Sequence, residues 1–197
     1  MIQPMTAHAQ RMTVDEWFAL GEEVRCELVD GFLVEEEVTS YVHERVVARL
    51  IRHLDTWADD HGALVAGSNV GFAIRADRGR CPDIDVYLAG AKRPPRNGVV
   101  RVPPSIMVEV VSPVPRDQRR DRLEKVQDYA AFGVRWYWIV DPQLRTFEIL
   151  ELGADGRYAH AVGVAEGRVE PPGCEGLVID VDALWREVDA LGEGDEG

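Results

Sequence analysis

Glu109 interrupts residues 105–111, SIMVEVV, a run otherwise apolar and rich in β-branched side chains that reads as a central strand. A carboxylate ionised in the middle of a sheet is costly unless it is paired or binds a cation. Asp83 follows Pro82 and opens a second extended run, 83–88. On adjacent strands, Asp83 and Glu109 would supply a hard oxygen site suited to Mg²⁺ or Mn²⁺ rather than zinc. An ion held there polarises a phosphodiester, orients a water and stabilises charge on the phosphate, and a nearby ammonium adds a point charge. Lys125, in the helical segment that follows, is the available ammonium. Asp121 lies one turn before it and Tyr129 one turn after, so Lys125 reaches the acids only if that face turns inward. Otherwise it is a solvated lysine paired with Asp121.

The elements that must position these groups are legible in outline. Thr13 and Glu16 form a capping box for a short helix over 14–20, and runs 24–30 and 32–38 join at Asp30-Gly31 as a hairpin. Ser40 caps a long helix with Val46, Val47, Leu50, Leu54 and Trp57 at helical spacing, ended by Gly62. Residues 63–75, apolar with Gly67 and Gly71, read as one bent strand, and 90–104, rich in proline and basic side chains, as an exposed loop. Beyond Ser112-Pro113, residues 117–132 read as an amphipathic helix stopped by Gly133. Strands follow over 134–140, 145–152 and 157–164, then a terminal helix over 181–188. This order implies a mixed α/β domain with a central sheet flanked by helices. We expect one domain over 12–188, between a flexible start, 1–11, and an acidic flexible tail, 189–197.

With 197 residues, 46% of them hydrophobic, the chain can bury one ordinary core. No apolar stretch is long enough to span a membrane. The three cysteines, Cys26, Cys81 and Cys174, are odd in number and far apart, which suits a reducing cytoplasm better than a disulfide framework or a zinc site. The net charge of −13 repels phosphate backbones at long range and speaks against avid, sequence-independent nucleic-acid binding. Against it, residues 92–125 hold nine basic and four acidic side chains. Arg116, Arg119 and Arg120 are the candidates for contacts to DNA, the alternative being a solvated helix face.

Several segments together resemble the Uma-type restriction endonuclease family of the PD-(D/E)XK superfamily. They are ELVDG from Glu27, His43 at the head of a helix, CPDI from Cys81, IMVEVVSP from Ile106, Lys125 with Tyr129, and GVRWYWIVDP from Gly133. The resemblance spans roughly residues 12–188. It implies a restriction-endonuclease-like core, a divalent ion at Asp83 and Glu109, and hydrolysis of DNA by a metal-activated water; the leading expectation is an endonuclease acting on double-stranded DNA. The superfamily places its lysine two residues after the strand carboxylate, where this chain has Val111; the resemblance moves that role to Lys125. It also favours Glu27 as a third carboxylate of the site, whose other reading is a charged residue on an edge strand. His43 shares a helical face with Val46, Val47 and Leu50 and reads as a core histidine rather than a general base. Asp85 shares Asp83's face by alternation and either supports the site or faces solvent. Trp136 and Trp138 read as core. A twofold homodimer suits an enzyme that cuts both strands. The competing functions are a catalytically inactive module that binds DNA or protein, and a hydrolase of RNA or a small phosphate ester.

Overall fold

The computed structural model describes residues 11–21, 26–35, 39–67, 70–113 and 119–192. Residues 1–10 of the expected flexible start, the last five of the expected tail, and Arg116 lie outside them. Helix α1 (Val14–Ala19) begins with the capping box: the Thr13 amide donates to the Glu16 carboxylate at 2.8 Å, and the Glu16 amide to the Thr13 hydroxyl at 3.3 Å. Strands β1 (Cys26–Val29) and β2 (Phe32–Glu35) turn at Asp30-Gly31, both at positive φ as a tight hairpin requires. Ser40 caps helix α2 (Tyr41–His61), which ends at left-handed Gly62.

The expected single strand over 63–75 is two, β3 (Leu64–Gly67) and β4 (Phe72–Arg75), which belong to different sheets. Strand β5 (Arg78–Arg80), too short and too charged to show a period, pairs with β4 and β1. Strands β6 (Ile84–Tyr87) and β7 (Ile106–Val110) follow. The expected helix over 117–132 is a π turn, Arg120–Glu124, running into helix α3 (Lys125–Phe132). Strands β8 (Trp136–Asp141), β9 (Thr146–Leu152) and β10 (Tyr158–Val164) come next. A ribbon of β11 (Arg168–Val169) and β12 (Ile179–Asp180) then leads into helix α4 (Val181–Asp189).

Six strands form the central sheet in the order β10-β9-β8-β7-β6-β3, and four more form a sheet β2-β1-β5-β4. Within the central sheet only β7 and β8 are parallel. Parallel neighbours need a long crossover, here the segment that carries α3. Alternation then sorts the side chains. Ile106, Val108 and Val110 pack with Val46, Leu50 and Leu54 of α2, and Trp136 and Trp138 join that core. Met107 and Val111 pack with Tyr129 of α3 and with Tyr137. The two long helices therefore cover opposite faces, and Glu109, out of phase with Val108 and Val110, points to the α3 side.

Helix α1 lies on the smaller sheet through Trp17, whose ring covers Gly79 so closely that an added Cβ would meet it at 2.4 Å. Trp17 is buried with Val14, Leu28 and Ala73 and has little room to yield. Gly79→Ala should lower stability by about 1–3 kcal/mol, a fall of several degrees in Tm. An unchanged thermal melt would show that the ring gives way.

Candidate active site

The register of β6 on β7 sets the two acids side by side. Ile84 stands opposite Val108 and Asp85 opposite Met107, so Asp83, one residue before β6, is level with Glu109. The Val110 amide donates to Asp83 Oδ2 at 2.7 Å, and His43 Nε2 lies 3.1 Å from the same oxygen. His43 is thus more than core filling: it comes round the end of the sheet from α2 to touch Asp83. Burial opposes its charge, but Asp83 raises its pKa above the usual histidine value. With 16% of its side chain exposed, Asp83 is open to solvent, whereas Glu109 is buried.

Lys125 is buried too, so its solvated reading is corrected. Its Nζ lies 2.8 Å from Glu109 Oε2, 3.1 Å from Asp121 Oδ1 and 3.7 Å from Glu27 Oε1. Burial alone would discharge the ammonium, but Asp121, Glu109 and Glu27 hold its pKa well above the usual lysine value. Glu109 also accepts the Tyr129 hydroxyl at 2.5 Å. Burial pushes the Glu109 carboxyl well above the ordinary range; Lys125 pulls it down, and the negative charges of Asp83 and Asp121 add to the rise. One ammonium does not balance the acids gathered here.

Glu27 is not an edge residue, because β1 lies inside its sheet and Glu27 is 1% exposed. Arg80, fully buried, donates to Glu27 Oε2 at 2.6 Å and to Asp128 at 2.8 Å. Burial opposes ionisation of Glu27, yet Lys125, Arg80 and Arg120 hold its pKa below the usual value. Glu27 therefore anchors cations. Asp85 does not face solvent: it is buried, its Oδ2 makes no hydrogen bond, and burial raises its pKa to about 7.

The basic stretch is divided by the fold. Arg93 donates to the carbonyls of Tyr87 and Gly62, at the end of β6 away from Asp83. Five residues of extended chain separate Asp83 from Leu88, roughly 17 Å. Among the arginines near Lys125, Arg122 is tied to Glu148 and Asp141, and Arg120 is turned inward, 3.8 Å from Glu27. Arg119 is exposed. Sequence reasoning missed Arg80 and Asp128. For Asp128 a signal exists, since Asp121, Lys125 and Asp128 fall on one helical face; for Arg80, in a three-residue strand, there is none. Lysine usage is a second signal, because Lys125 is one of only two lysines beside twenty arginines.

Among the described residues no three acidic, histidine or cysteine side chains form a ready-made metal cage. The donor set still fits a hard divalent ion, since Mg²⁺ is commonly held through one or two carboxylates and waters. Asp83 and Glu109 stand level on neighbouring strands, and the Val110 amide and His43 hold Asp83 through Oδ2.

A mixed central sheet flanked by helices, with acids level on neighbouring strands, defines a restriction-endonuclease-like fold. Residues 12–182 match the Uma2 family model, described as "Putative restriction endonuclease". The chain belongs to that family. A similar solved structure is a crystal structure at 1.96 Å of a "putative nuclease belonging to DUF820" from Anabaena variabilis. The two superpose with a TM-score of 0.71 at 17% identity, over 90% of this chain and 99% of the other. No curated protein matches.

Removing the central ammonium leaves three acids facing one another. Lys125→Met should cost about 3–5 kcal/mol in denaturant unfolding, and adding Glu109→Gln should recover part of the loss. Strictly additive losses would count against the charge cluster.

Proposed function

We propose that this chain is a divalent-metal-dependent endonuclease that hydrolyses phosphodiester bonds in double-stranded DNA. The observation that carries this reading is the convergence of Asp83, Glu109 and Lys125 at one end of adjacent strands. Asp83 and Glu109 would hold Mg²⁺ or Mn²⁺. When bound, such an ion polarises the phosphoryl group and activates water for attack. His43 and the Val110 amide orient Asp83; Tyr129 and Lys125 orient Glu109. Lys125 supplies fixed positive charge beside the phosphate, and Glu27 with Arg80 supports it from behind.

Exposed Arg119, at the head of the π turn, is the described arginine best placed to meet the DNA backbone. Arg120 acts inward, on Glu27. A second copy of the chain, related by a twofold axis, would cut the other strand. The proposed setting is cytoplasmic DNA; among the described residues no helix is long and apolar enough to cross a membrane.

Supercoiled plasmid, incubated with the protein and Mg²⁺ or Mn²⁺, tests the reading. Nicking should need the ion and should fall at least about 100-fold in Asp83→Ala and in Glu109→Ala. No cleavage, with metal still bound in calorimetry, would favour RNA or a small phosphate ester as substrate. No metal binding would favour a catalytically inactive module that binds DNA or protein.

Arg119→Ala should weaken DNA binding equally across sequences and flatten the slope of log affinity against log salt by about 1. An unchanged slope in a fluorescence titration would remove Arg119 from the DNA interface.

A further inference from the structure

Asp121 is a buried acid that the proposed reaction leaves without a task. It is 4% exposed, while Arg122 and Leu123 beside it on the π turn reach solvent. A carboxylate this deep requires a counter-charge, and the ammonium of Lys125 lies 3.1 Å away. The Asp121 carbonyl accepts the Tyr137 hydroxyl at 3.0 Å, which pins the turn to β8. The Lys125 amide donates to the Arg120 carbonyl, five residues back, so an extra residue is accommodated in the turn that delivers both side chains to the site. Turns of this kind concentrate at functional sites.

An ammonium has three N–H donors. Glu109 and Asp121 take two of them, and Glu27, at 3.7 Å, lies beyond hydrogen-bond reach. The two shorter ion pairs set where Nζ sits and leave Glu27 the more distant acid. Without Asp121, Nζ would be free to turn about Glu109 toward Glu27, and that position would be lost. We infer that Asp121 is a positioning residue for Lys125, clamping the ammonium against Glu109 so that its third N–H is left for the scissile phosphate. The inference rests on the nuclease reading for its phosphate but not for its clamp.

Two measurements on Asp121→Ala and Asp121→Asn test it. The first is plasmid cleavage with Mg²⁺. In Asp121→Ala the clamp predicts a fall in kcat of about 10–100-fold with KM for DNA within about twofold, and Asp121→Asn, which keeps an acceptor, should fall between. The second is the side-chain nitrogen spectrum of protein labelled with nitrogen-15 lysine. The chain has only Lys92, which is exposed, and Lys125, so the assignment is direct. Lys125 should give a slowly exchanging ammonium signal in the parent protein and lose it in Asp121→Ala. A purely structural Asp121 would lower Tm and leave kcat of the folded protein intact. The inference is overturned if the signal persists in Asp121→Ala, or if the loss of activity falls on KM alone. Should Asp121→Ala fail to fold, the same two readouts on Asp121→Asn decide. If the parent protein cuts no DNA but the signal still depends on Asp121, the clamp stands and the nuclease reading falls.

Discussion

The structure turns on one buried ammonium. Lys125 brings a positive charge into a space bounded by β1, β7 and the π turn, and each contributes a carboxylate to it. Such an arrangement holds only if all three elements are in place together, because any one acid withdrawn leaves charge uncompensated in a low dielectric. That requirement explains features that otherwise look separate. Fully buried Arg80 balances Glu27 from behind while also binding Asp128 on the helix that carries Lys125, so the smaller sheet and α3 are joined by charge as well as by packing. Tyr129 occupies the remaining side of Glu109 and stacks edge-on against Tyr137 of the central sheet. Lysine suits this centre better than arginine: it is a compact charge on a flexible stem, whereas a planar guanidinium would demand paired acceptors in one plane.

The crossover between β7 and β8 brings that ammonium to the right face. Two parallel neighbours force the chain across the sheet, and the out-of-phase Glu109 meets whatever covers the face on which it falls. Here that is α3. On the other face α2 builds the larger apolar core, yet its first turn still reaches Asp83 through His43, because Asp83 lies before β6 begins, at the rim rather than inside the layer.

How much of this was legible follows from the range of the interactions. Glu109 announced itself as an acid inside an apolar strand, and Asp83 as an acid opening the next extended run. Both signals are local. Lys125 was ambiguous because a lysine on an amphipathic helix faces water or core according to what packs on the helix, and that is decided by β1, nearly a hundred residues earlier. Glu27 looked like an edge acid for the same reason: pairing of β1 with β5 is what places it inside its sheet. The split of 63–75 into two sheets was hidden because apolar content and glycines are alike on both sides, and period does not tell which sheet a strand joins. The basic stretch misled in another way. Adjacency along the chain is not adjacency in space, because strand β6 carries the chain from one end of the sheet to the other between Asp83 and the loop that holds Lys92 and Arg96.

Overall acidity, the main objection to a nuclease from composition, weakens when charge is located rather than counted. Part of the excess is internal: Glu27, Glu109, Asp121 and Asp128 are buried and face Lys125 or Arg80. Charges in water are screened over about 8 Å at physiological salt, so a phosphate at Asp83 responds to its immediate surroundings and hardly to acids elsewhere on the surface. Those surroundings hold more carboxylates than Lys125 balances, which alone would repel a phosphate. In the proposed reading a divalent ion between Asp83 and Glu109 would reverse that sign at the one place where the reaction needs it, so the same acids that discourage bare DNA would make binding conditional on the ion. Weak attraction without metal would then follow from the proposed site rather than count against it.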